Sequence, residues 1–101
     1  MRARWPFRIV NFYHIPINAK GIYAFWYGKR CIYIGQAKNQ LLKDRLLQHF
    51  KRSHNQSLNI WIEAYGPELD FCVLPIKTKN IDKVEKYFIR RWQPVTNMQS
   101  K

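Results

Sequence analysis

GIYAFWYGKRCIYIG, residues 21–35, decides the fold. Two runs rich in aromatic and β-branched residues flank Gly28-Lys29, the pattern of two strands joined by a hairpin turn. Both faces of each run are apolar, which predicts a central strand pair covered on both sides. A strict two-residue loop at Gly28-Lys29 pairs Tyr27 with Arg30 and Tyr23 with Ile34. Tyr23 and Tyr33 then lie on opposite sides of the sheet, as core residues with unrelated hydroxyl partners. An odd loop from Tyr27 to Lys29, or an equivalent bulge, sets Tyr23 directly opposite Tyr33, so that both phenols converge at one end of the hairpin, where a small hydrophilic site can form.

Outward from the hairpin, QAKNQLLKDRLLQHFKR (residues 36–52) reads as an amphipathic helix. Leu42, Leu46, Leu47 and Phe50 form its apolar stripe, with Arg45, His49 and Arg52 along the border. A single border histidine fits a packing role as well as a catalytic one. SLNIWIEAY (57–65) fits either a strand or a two-turn helix. After the Gly66-Pro67 break, DFCVLPI reads as a strand, and Asn80 caps a second helix, Ile81 to Trp92, that ends ahead of Pro94. Residues 1–20 alternate basic and bulky apolar groups and read as an N-terminal extension, either an extra edge strand or an arm on the ligand. Residues 21–101 form one domain of mixed α/β (α+β) class.

The second helix holds an anomaly. At 100° per residue its apolar stripe is Ile81, Val84, Phe88, Ile89 and Trp92, and Glu85 falls inside it, while Lys83, Lys86 and Arg90 face solvent. A carboxylate there is costly unless it meets a positive partner, either a buried ion pair with Arg45 or a Lys, or a divalent metal that also touches phosphate.

Charge points to the partner class. Eighteen Lys plus Arg against six Asp plus Glu give +12 and a pI near 10.1, a balance that draws polyanions by counterion release. Lys38, Lys43, Lys51, Arg52, Lys86, Arg90 and Arg91 are candidates for tracking a nucleic-acid backbone, or are an ordinary solvated surface. Cys31 and Cys72 sit in separate apolar runs without a CxxC or Cys/His cluster, which argues against a disulfide or zinc. No run is long and apolar enough for a membrane span, and the start lacks a secretory pattern. The expected location is cytoplasmic, nucleoid-associated in a bacterium, with no membrane partner.

Four elements in order resemble the GIY-YIG nuclease family. Gly21 to Tyr23 gives GIY, and Tyr33 to Gly35 gives YIG, continued by Gln36-Ala37-Lys38. Arg45 and His49 stand four apart before Phe50, and Glu85, Ile89, Arg90, Pro94 and Asn97 match the closing pattern. Together they span residues 21 to 97. Gln36 stands where some members carry lysine, and the stretch from Gly35 to Arg45 is about two residues longer than in similar members.

The resemblance implies a small central antiparallel sheet flanked by helices, a helix at 57–65, and convergence of the two tyrosines. It also implies a DNA endonuclease with one divalent cation, Mg²⁺ or Mn²⁺, per site. In family-like roles Glu85 holds the metal, Arg45 binds nonbridging phosphate oxygens, and Tyr23 positions or deprotonates the water. Tyr33 and His49 support it, and Asn97 braces the site. The DNA is double-stranded, single-stranded or branched, and one site cuts one strand, so a double-strand break needs a homodimer or two encounters. Specificity is low, structural, or supplied by a protein partner. Two other readings stand beside this one: a non-catalytic basic nucleic-acid-binding module on the same scaffold, and a ribosome-associated protein with Glu85 in a core ion pair.

Overall fold

The hairpin organises the rest of the chain in the computed structural model, which describes residues 3 to 53 and 55 to 100, the side chains of 98 to 100 excepted. Strand β1 is Trp5–Pro6, β2 is Gly21–Tyr27 and β3 is Arg30–Ala37. Helices α1 (Leu42–Lys51) and α2 (Gln56–Tyr65) follow, then β4 (Asp70–Pro75) and α3 (Ile81–Trp92). The sheet is antiparallel in the order β1-β4-β2-β3. β2 is central as expected, but β3 is an edge strand.

Two-residue loop and convergence both occur, because a bulge reconciles them. Tyr27 pairs with Arg30 and Trp26 with Cys31, then the register shifts and Phe25 pairs with Tyr33 and Tyr23 with Gly35. Ile32 is the extra residue, and it restores the parity that puts Tyr23 and Tyr33 on one face. They are diagonal neighbours, not a directly opposed pair, with ring centroids 6.1 Å apart.

The motif glycines are required by close approach. A Cβ on Gly35 would strike the Tyr23 hydroxyl and lie 2.5 Å from Tyr23 Cζ and 2.7 Å from Tyr33 Cε2, so the tyrosine ring lies across the space this glycine leaves. At Gly21 a Cβ would run into the Leu74 carbonyl of β4.

Each sheet face has its own core. Tyr23, Phe25, Ile32 and Phe71 pack with Leu42, Leu46 and Leu58 of α1 and α2, while Ala24, Trp26, Cys31, Ile34 and Cys72 pack with Phe88, Ile89 and Trp92 of α3. Phe7, Phe12 and Ile15 join the first cluster, and β1 pairs with β4 at the far edge. Residues 57–65 are helical: Leu58, Trp61, Ile62 and Tyr65 all join the first core. Asn55 caps α2 by accepting from the Leu58 N–H at 2.9 Å. Asn80 does precede α3, but it sits in a short 3₁₀ turn with helical backbone and makes no side-chain cap bond. Both cysteines are buried thiols. Among the described residues, no helix is long and apolar enough to cross a membrane.

The outer edge of β3 is closed by side chains. Asn97 Oδ1 accepts from the Ile34 N–H at 2.8 Å, its Nδ2 donates to the Ile34 carbonyl at 2.9 Å, and Thr96 Oγ1 donates to the Ile32 carbonyl at 2.7 Å. Buried edge groups that a missing strand would have paired are thus satisfied.

Candidate active site

Four elements converge at the open end of the hairpin, distant from the Gly28-Lys29 turn. β2 and β3 supply Tyr23 and Tyr33, α1 supplies Arg45 and His49 one turn apart, and α3 brings Glu85 from the opposite sheet face around the β3 edge.

On the α1 side the polar groups form a continuous chain. Tyr23 and His49 are buried, and the Tyr23 hydroxyl lies 2.7 Å from His49 Nε2. His49 Nδ1 lies 2.9 Å from Ser53 Oγ, which also accepts from the Asn55 N–H at 3.2 Å. Arg45 Nε donates to the Tyr23 hydroxyl at 3.3 Å. The His49 tautomer sets the direction of both bonds: with the imidazole proton on Nδ1, the Tyr23 O–H donates to Nε2 and Nδ1–H donates to Ser53. Burial drives the Tyr23 phenol far above its ordinary pKa, Tyr33 adds to the rise, and the Arg45 guanidinium offsets only part of it. Burial also opposes the charge on Arg45, but the two neighbouring phenol oxygens outweigh it, so Arg45 is a fixed cation. His49 lies deeper than the helix-border position expected of it: the histidine is 2% exposed, while Phe50 is 40% exposed.

The α3 side is different. Glu85 is half-buried, and Gln36 Nε2 donates to it at 2.7 Å and to Asp82 Oδ1 at 3.1 Å. Burial raises the Glu85 carboxyl above its ordinary pKa, the Gln36 bond offsets part of this, and the Asp82 charge adds to the rise. The ion pair of Glu85 with Arg45 or a lysine does not form. Among the described residues the one salt bridge is the exposed Lys38–Asp82 contact at 2.8 Å. Lys38 and Gln36 hold the Asp82 carboxyl below its usual range.

Tyr33 links the halves: burial raises its pKa, Arg45 lowers it, and Glu85 raises it again. Beside them a cleft of about 280 Å³ is lined by Gln36, Lys38, Asn39, Gln40 and Arg45, opening the cluster to a ligand.

These residues fit a hard divalent cation. Among the described residues there is no cluster of three or more His, Cys, Asp or Glu. What stands here is a desolvated carboxylate with a second carboxylate joined to it through one amide, all oxygen donors toward a cation that keeps most of its waters.

The structure thus gathers Tyr23, Tyr33, Arg45 and His49, sets Glu85 beside Tyr33, and places Asn97 on the β3 edge behind them. Lys43, Lys51 and Arg52 are exposed on and after α1, and Lys86, Arg90 and Arg91 on α3, so these two sets lie on opposite sides of the sheet. Lys38 is engaged by Asp82. Sequence reasoning missed Gln36, Ser53 and Thr96. Signals existed for each: Gln36 follows YIG directly, Ser53 lies one helical turn beyond His49, and Thr96 adjoins Asn97.

No family model matches the chain. A 53-residue segment, 52% of this chain, is 47% identical to UvrABC system protein C of Aquifex aeolicus, of whose length it spans 9%. The fold is similar to the GIY-YIG N-terminal endonuclease domain of UvrC from Thermotoga maritima, solved with its catalytic divalent cation, magnesium. TM-score is 0.65 and identity 22%, over 88% of this chain and 93% of that one. A tyrosine-to-phenylalanine variant of that domain, also with the cation bound, gives TM-score 0.65 and 24% identity over 88% and 92% of the chains. The GIY and YIG strands, the bulged register that joins their tyrosines and the likeness in three dimensions agree: in fold, this chain is a GIY-YIG domain.

Proposed function

We propose that this protein is a metal-dependent endonuclease that hydrolyses DNA phosphodiesters at a site holding one divalent cation. The observation that carries the reading is the pairing of the buried Tyr23–His49–Ser53 chain and Arg45 with a half-buried Glu85, whose carboxyl burial raises above its ordinary pKa, across Tyr33. A basic binding module needs neither part.

Phosphodiester hydrolysis requires activation of water and relief of charge on the phosphoryl and leaving oxygens. Arg45, a fixed cation at the cleft, binds the nonbridging oxygens. Tyr23 is too weak an acid to stand as phenolate at neutral pH, so it acts by relay: as its oxygen takes a proton from the water, its own proton passes to His49 Nε2. The resulting imidazolium keeps its Nδ1–H on Ser53, and Arg45 steadies the phenol oxygen throughout. Tyr33 flanks the water and stays protonated. Glu85, held by Gln36, would hold Mg²⁺ or Mn²⁺, with Asp82 adding negative charge nearby. When bound, the cation supplies charge neutralisation at the scissile phosphate and the leaving 3′ oxygen. Asn97 keeps β3, and with it Tyr33 and Gln36, in place.

The test is strand scission on supercoiled, single-stranded and branched DNA with Mg²⁺, Mn²⁺ or EDTA. Metal-dependent cutting lost in Glu85→Ala, with DNA binding retained, is expected. A folded, DNA-binding wild type that cuts none of these would return the chain to the binding-module reading.

A further inference from the structure

At the turn end of the hairpin, distant from Tyr23, the α3 face carries a second cleft, of about 520 Å³. Trp26, Lys29, Arg30 and Cys31 line it from the hairpin, and Arg91 and Trp92 from the end of α3. Lys29, Arg30 and Arg91 are exposed, no acidic residue lines the cleft, and among the described residues none of the three cations has an anionic partner. Its walls are fixed. Trp92 lies 4.9 Å edge-on from Trp26 and 4.5 Å from Phe88, and the Trp26 indole N–H donates to Cys72 Sγ at 3.4 Å. Arg4 sits 4.0 Å over the Trp26 ring and donates to the Gly28 carbonyl at 2.8 Å, tying the N-terminal segment to the turn.

Basic residues in the last turn of α3 complement its dipole, which accounts for Arg90 and Arg91 without any ligand. It does not account for Lys29 and Arg30, which come from another element and face the same hollow. The cleft volume falls in the range of about 300–1,000 Å³ that takes a ligand the size of one nucleotide. It is also aligned with the catalytic cluster: Glu85 and Trp92 stand on one stripe of α3, two turns apart, roughly 10 Å along the axis.

We propose that this cleft binds an unpaired nucleotide of a single DNA strand, its phosphates on Lys29, Arg30 and Arg91 and its base against the Trp92 edge of the hollow. The inference rests on the DNA-nuclease reading and sharpens it: the strand runs along α3 from Glu85 to the hairpin turn, and a substrate with an unpaired segment beside the cut is preferred. A duplex keeps its bases stacked, so it seats no base in this hollow and its backbone is held off the three cations.

Binding of a fluorescein-labelled 16-nucleotide single strand is followed between 50 and 200 mM salt with EDTA present, for wild type, Arg30→Gln/Arg91→Gln and Lys29→Gln. Loss of two phosphate contacts predicts roughly tenfold weaker binding at low salt and a plot of log K against log salt shallower by about 1.4, and the single variant about half that change in slope. A blunt duplex of equal length should lose less than about twofold. Since all three positions are exposed, melting temperatures should match wild type. An unchanged slope in the double variant overturns the proposal whatever the affinity, and equal losses on strand and duplex overturn the assignment to an unpaired nucleotide. A wild type that cuts and binds DNA while the variants behave identically condemns the cleft alone. A wild type that binds no DNA condemns the nuclease reading with it.

Discussion

The two sides of the β3 edge solve opposite problems. On the α1 side every polar group in the cluster is paired: Tyr23 to His49, His49 to Ser53, Arg45 to Tyr23, in a buried chain assembled before any ligand arrives. On the α3 side a carboxylate is taken partly out of water and, among the described residues, meets one amide donor that it shares with a second carboxylate. One side is complete, and the proposed function completes the other with a cation. The difference teaches that the hydrogen-bonded chain is built into the fold, whereas on the proposed function the charge of Glu85 is balanced by a bound cation. Gln36 is the pivot, because a lysine in its place would put a cation beside Glu85.

The sharpest way to break the complete side is to remove its working groups. Arg45→Ala and Tyr23→Phe should each cost on the order of 100-fold or more in cleavage rate with the protein still folded, Tyr23→Phe also losing about 1–3 kcal/mol of stability because the buried His49 Nε2 loses the hydroxyl; a loss below tenfold removes that residue from the mechanism. Gly35→Ala comes next. Its Cβ would displace the Tyr23 ring, so cleavage should fall about as far as in Tyr23→Phe, now with reduced stability; normal activity would mean the Tyr23 position does not matter. Asn97→Ala should act through the edge strand, leaving the Ile34 N–H and carbonyl without their partner and costing about 1–3 kcal/mol in denaturant unfolding.

The smallest effect reports on the incomplete side. Because burial raises the folded-state pKa of Glu85 above its unfolded value, its contribution to stability is present at low pH and is lost as pH rises through the raised pKa. Glu85→Gln abolishes that loss, so without metal the variant should melt higher than wild type at neutral pH, and the difference should close below about pH 4. Equal melting curves throughout would show that Glu85 bears no desolvation cost.

Much of this was legible in the sequence, for physical reasons. The α3 stripe fixed its ends and exposed Glu85 as an anomaly, since a 3.6-residue period leaves one face to the core. Parity alone stated the condition for the tyrosines to meet, yet could not supply the bulge at Ile32, because an unpaired residue in an apolar run looks like its neighbours. β3 read as central because Ile32 and Ile34 are apolar on both faces. What covers its edge is Thr96 and Asn97, some sixty residues onward, and local pattern carries no record of that contact. Gln36 and Ser53 escaped for a related reason: their meaning lies in the side chains they touch.

Calorimetric titration of wild type and Glu85→Gln with Mg²⁺ at neutral and acid pH tests the central contrast most directly. The account predicts one ion per wild-type chain, affinity that falls as pH drops through the raised Glu85 pKa, and no binding to Glu85→Gln. Equal binding by both proteins would contradict it, placing the cation elsewhere and leaving Glu85 without the partner its burial demands.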